Sequence, residues 1–105
     1  MYENLTNDEL RIYRILEGLG DSESLTGSEI MERLMIKERR YFHQLIFNLR
    51  SKGMPVVSIK NGNHSGYWLA RNKDDLTAYL HDKELYIATH RKIIEAMRGA
   101  AESIF

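Results

Sequence analysis

The sequence predicts a mostly α-helical chain with one β-hairpin: three helices, then the hairpin, then a long final helix. Three observations predict it. Apolar residues recur at spacings of three and four through residues 5–20 and 26–53, which lines each helix with one buried stripe. After Gly53 the period drops to two across a short β-branched run, an Asn- and Gly-rich loop and a second apolar run, the pattern of a hairpin. From Lys73 to Arg98 no Gly or Pro interrupts a helical pattern.

The first helix is expected within residues 5–20. Thr6 and Glu9 have the spacing of a capping box, in which each side chain accepts a hydrogen bond from the other residue's backbone N–H, and Leu5 and Leu10 hold the positions of a hydrophobic staple. Ile12, Ile15, Leu16 and Leu19 form the stripe, and Gly18 or Gly20 ends it. Residues 21–24 are a polar connector, after which Leu25 is placed to pair as a one- or two-residue strand. Thr26 and Glu29 then repeat the capping box, with Leu25 and Ile30 as the staple of a second helix. The third helix is expected over residues 37–52, with Phe42, Leu45, Ile46 and Leu49 inward and Gly53 and Pro55 as its stop pair. The turn before it, at Met35 and Ile36, lacks the glycine that many such turns carry.

The hairpin is expected as strands over 54–59 and 67–70 around a loop at 60–66, with Tyr67 and Trp68 aimed at opposite faces. Asn72 is the expected cap of the last helix, and Asp74 and Asp75 sit in its first turn, where the helix dipole favours negative charge. Along this helix Leu76, Lys83, His90, Met97 and Ile104 recur every seven residues, and Leu80, Ile87, Ile94 and Ala101 interleave. A seam of that length calls for a partner. The expected one is the same helix of a second copy, giving a homodimer; folding back onto its own domain, with a break near residues 81–83, is the alternative. The expected organisation is a domain over 1–71 and a helical extension over 72–105.

Composition narrows the function. With no cysteine among 105 residues, disulfide scaffolds and thiolate metal sites are excluded. No apolar run is long enough for a membrane span, and the first residues lack the basic and apolar regions of a signal peptide, so a soluble, unsecreted chain is expected. The formal charge is zero, yet it is unevenly placed: −4 over residues 1–25, +3 over 26–53, +2 over 54–72 and −1 over 73–105. Positive charge therefore gathers where the third helix and the hairpin lie, as a phosphate-facing surface requires. His43, His64, His81 and His90 lack the close spacing of a metal site, so no metal is expected. Without a phosphate loop, nucleophile elbow or cysteine, neither an enzyme nor a cofactor nor a small-molecule substrate is expected.

Three helices followed by a hairpin is the order of a winged helix-turn-helix, in which the third helix enters the major groove. Arg40 and Gln44 suit guanine and adenine edges respectively, and Asn48 flanks them. Lys37, Arg39, His43 and Lys52 are better placed for phosphate, which orients without specifying sequence. The hairpin tip, with Lys60, Asn61, Asn63 and His64, suits backbone or minor groove, and an ordinary polar turn accounts for it equally. Phe47 falls on the same outward side as Gln44.

With these elements in place the sequence resembles small winged-helix proteins of temperate bacteriophages and prophages. In those proteins a reading helix ending Leu-Arg-x-x-Gly, here Leu49-Arg50-Ser51-Lys52-Gly53, runs through a short Pro-containing strand to a Gly-Tyr-x-Leu strand, here Gly66-Tyr67-Trp68-Leu69. The resemblance covers about residues 25–98 and departs at Ile36, near the position usually held by Gly, and at Phe47. It implies a double-stranded DNA-binding role in phage transcription or replication, in the cytoplasm of a bacterial host. The rival expectation is a winged-helix protein–protein interaction module in a phage replication or packaging assembly, which zero net charge and an outward Phe47 favour.

Overall fold

A computed structural model describes residues 4–61 and 64–104, with backbone alone for residues 60, 61, 64 and 65. Its elements are α1 (Asn7–Glu17), α2 (Gly27–Leu34), α3 (Arg39–Ser51), β1 (Val56–Asn61), β2 (His64–Leu69) and α4 (Lys73–Ile104). They divide into two compact units, Met1–Arg71 and Asn72–Phe105. The chain is thus mostly helical, with one two-stranded antiparallel hairpin and a long C-terminal helix.

Both capping boxes form. Thr6 Oγ1 accepts from the Glu9 N–H at 3.3 Å while the Glu9 carboxylate accepts from the Thr6 N–H at 3.1 Å. Thr26 and Glu29 do the same at 3.1 and 3.0 Å, and the backbone and hydroxyl of Thr26 hold the Glu29 carboxyl below the usual carboxylate range. α1 stops at Gly18, the earlier of the two glycines expected to end it.

The turn between α2 and α3 is where the sequence pattern is corrected. Met35, not Ile36, takes the left-handed conformation (φ 57°). The Met35 N–H bonds to the Glu32 carbonyl and the Ile36 N–H to the Met31 carbonyl, closing a Schellman motif that usually has Gly at its left-handed residue. Ile36 follows as the motif's apolar residue and packs against the core, which explains why it is not glycine. α3 therefore begins at Arg39, and Lys37 lies in the turn rather than in the helix. The same motif closes α3, with Gly53 at φ 86°, bonds from Gly53 to Arg50 and from Met54 to Leu49, and Met54 buried behind it.

The core of the first unit is built largely from the predicted stripes, although Ile15 and Leu19 are only partly buried and Tyr13, outside the stripe, is buried. Ile12 and Leu16 of α1, Ile30 of α2 and Phe42, Leu45 and Leu49 of α3 are all at most 3% exposed. Val56 of β1 and Leu25 join them. The Phe42 ring meets the Tyr67 ring edge-on at 5.5 Å, so β2 is packed directly onto α3.

The strands run further toward the tip than the sequence suggests, while β1 starts at Val56 rather than Met54 and β2 ends at Leu69 rather than Ala70. Pairing extends from Val56↔Leu69 through Asn61↔His64, so the Asn- and Gly-rich segment expected as loop supplies part of both strands, cross-strand pairing outweighing weak β-propensity. Leu25 adds an isolated bridge to Tyr67, with bonds of 3.1 and 2.7 Å. That bridge explains Gly66: a Cβ there would stand 2.5 Å from Ser24 Oγ and 2.8 Å from Ser24 Cβ. Gly66→Ala should accordingly cost about 1–3 kcal/mol, by forcing the Ser24–Leu25 segment off β2. A urea midpoint within error of the parent protein would show that this approach is not required.

In the second unit, Asn72 Oδ1 accepts from the Asp75 N–H at 2.8 Å and caps α4, which continues without a break through residues 81–83. None of its described residues is buried. Among the described residues no helix is long and apolar enough to cross a membrane.

Candidate nucleic-acid interface

α3 presents two sides of opposite character. Phe42, Leu45, Ile46 and Leu49 are buried, while Arg40, His43, Gln44, Phe47 and Ser51 are exposed. The helix is positioned from both ends. At its start the Arg39 guanidinium donates to Ser28 Oγ at 2.8 Å, tying it to the first turn of α2. At its end Arg50 donates to the Val56 carbonyl at 2.8 Å and to Ser58 Oγ at 2.9 Å, tying it to β1. In between, the Tyr41 hydroxyl donates to Asp8 at 2.6 Å, which lowers the Asp8 carboxyl pKa and raises that of the phenol.

The residues proposed from sequence separate into those left available and those turned inward. Lys37 and Arg40 are exposed and make no hydrogen bond or ion pair among the described residues. His43 is also exposed, with its ring 5.7 Å from that of Phe42. Arg39 spends one amino group on Ser28. Gln44 donates to Asn48 at 2.9 Å, and Asn48 in turn donates to Glu9 at 3.2 Å. Lys52 sits 2.5 Å from the same Glu9 carboxylate and 2.6 Å from the Asn4 carbonyl. Asn48 and Lys52 thus have an internal role, joining the end of α3 to the start of α1. The side chains of Lys60, Asn61 and His64, and the whole of Asn63, lie outside the described residues.

Glu9 is the member that the sequence pattern did not single out beyond its cap. It is the buried carboxylate of the unit, 1% exposed. Burial pushes its pKa up, but Lys52, the Thr6 backbone and Asn48 together outweigh burial and hold it below the usual range. A capping glutamate is ordinarily exposed, and only the fold brings the i, i+4 pair Asn48 and Lys52 onto it. Comparison with protein-family models, with curated proteins and with solved structures finds no match to this chain.

What that face can do follows from its groups. Lys37 and Arg40 supply full charges for phosphate or for guanine O6/N7, and Gln44 retains an amide for adenine once released from Asn48. Phe47, 64% exposed, adds an apolar contact beside them. Among the described residues no three His, Asp or Glu side chains gather as a metal site.

Proposed function

We propose that Met1–Arg71 is a winged helix-turn-helix unit that binds double-stranded DNA, with α3 in the major groove and the β1–β2 tip near the backbone. On this reading the chain is a phage or prophage transcriptional regulator or replication accessory factor, working in the bacterial cytoplasm as a dimer joined through α4. The observation that carries it is the outward side of α3, where Arg40, His43 and Gln44 stand exposed opposite a buried stripe, with Lys37 exposed in the turn just before the helix. The order of three helices and a hairpin, and the resemblance to phage winged-helix proteins, support the same reading.

Affinity for random duplex should fall steeply as salt rises, because each phosphate neutralised releases counterions. Arg40→Ala should relax base preference at one position by about 1–3 kcal/mol, whereas Lys37→Ala should weaken all sequences alike. Selection from a random duplex pool, followed by titration of the winners, reads both effects. No retained duplex at low salt would refute the assignment.

A protein-docking role is the second reading, favoured by the exposed apolar residues Phe47 (64%) and Met35 (82%) in the same unit. It expects a stoichiometric protein complex that forms without DNA and is lost in Phe47→Ser.

A further inference from the structure

α4 is a 32-residue helix, and Leu80, Ile87, Ile93, Ile94 and Met97 on it are 48–68% exposed. So many large apolar side chains along one helix need cover. In heptad terms Leu80, Ile87 and Ile94 take one core position and Lys83, His90 and Met97 the other. A parallel, in-register pair would set each residue against its own copy. Lys83 would then face Lys83 and His90 face His90 in the middle of the seam, while the flanking Glu84 and Arg91 would meet Tyr79 and Tyr86 rather than opposite charges.

We propose that α4 pairs antiparallel with α4 of a second copy, centred between Ala88 and Thr89. The proposal rests on the self-association put forward above and adds its direction and register. In this register Leu80 faces Met97 of the second copy, Lys83 faces Ile94 and Ile87 faces His90, so no core layer holds two like charges. The flanks complement each other as well: Glu84 meets Arg91 of the second copy, and the two-fold axis makes that ion pair twice. Lys83 already shows how it is accommodated, its ammonium 5.2 Å from the centre of the Tyr79 ring, so the head leaves the seam while the stem stays in it.

The absence of cysteine makes the test direct, since Thr89→Cys and Ser103→Cys each create a single site for a spin label at an exposed position away from the seam. With a rise of 1.5 Å per residue and helices about 10 Å apart, antiparallel pairing puts the labels at 89 about 20 Å apart and those at 103 about 45–50 Å apart. Parallel pairing puts both at about 20 Å. Sedimentation of the full chain separates the two ideas: a monomeric mass overturns self-association and this proposal together, whereas a dimer with short distances at both positions overturns only the antiparallel arrangement. Glu84→Arg should weaken the dimer about tenfold, and adding Arg91→Glu should restore it. Failure of the double exchange to restore affinity would count against the register.

Discussion

Phe42→Ala should lower the stability of the Met1–Arg71 unit by about 3–5 kcal/mol, the largest effect expected from any single truncation described for this protein. Phe42 is 0% exposed and lies where α2, α3 and β2 converge. On one side its ring edge meets Tyr67 at 5.5 Å; on another it reaches so close to Gly27 that a Cβ on that residue would stand 3.1 Å away. Elements pinned by Arg39, Arg50 and the Leu25–Tyr67 bridge have little freedom to close over the void, so the cavity term adds to the lost burial. For a domain of this size such a loss approaches the whole folding free energy. Urea unfolding followed through Trp68, the single tryptophan, measures it, and Phe42→Leu should cost far less by keeping most of the volume. A loss below about 1 kcal/mol for the alanine variant would mean that the junction is not close-packed.

Lys52→Met should destabilise the same unit by about 2–4 kcal/mol, because it strands the Glu9 carboxylate in the interior without its counter-charge. The loss is smaller than for a fully buried pair, since the Lys52 side chain is 31% exposed although that of Glu9 is only 2%. Glu9→Gln added to Lys52→Met should recover much of the loss, as a neutral amide keeps its oxygen for the Thr6 N–H and, once the Asn48 amide flips, donates to the Asn48 oxygen without needing an ammonium. The sign of the pH dependence follows from the lowered Glu9 pKa. A carboxyl depressed on folding contributes stability that is fully present above its unfolded pKa and is lost as pH falls through the folded value. Acid should therefore destabilise the parent more than the double variant. Equal slopes of stability against pH below the ordinary carboxylate range would remove Glu9 from the account.

The residues that read clearly in sequence are those whose structure depends on near neighbours. Thr6 with Glu9 and Thr26 with Glu29 specify helix starts three residues at a time, and the stripe of Phe42, Leu45, Ile46 and Leu49 is visible because burial repeats with the helical period. Leu25 could be expected as a brief strand for the same reason, as an apolar residue between a polar connector and a cap, but its partner Tyr67 shows only in the fold. Legibility fails where the deciding contact is distant in sequence. Asn48 and Lys52 look like a helix's solvated, basic face until α1 delivers Glu9, 39 and 43 residues away, to meet them. Met35 hid its left-handed backbone because residues other than Gly adopt it only when the surrounding bonds impose it. The outward placement of Arg40 and Gln44, by contrast, needs nothing beyond the rotation of one helix.

The Leu25 bridge makes the hairpin asymmetric toward other chains. It blocks the outer side of β2 at Tyr67, so an incoming strand could extend the sheet only along the outer side of β1. Arg50 lies across that route at its start, its guanidinium occupying the Val56 carbonyl and the Ser58 hydroxyl. One arginine thus ties helix to strand and also takes up a carbonyl that an incoming strand would need.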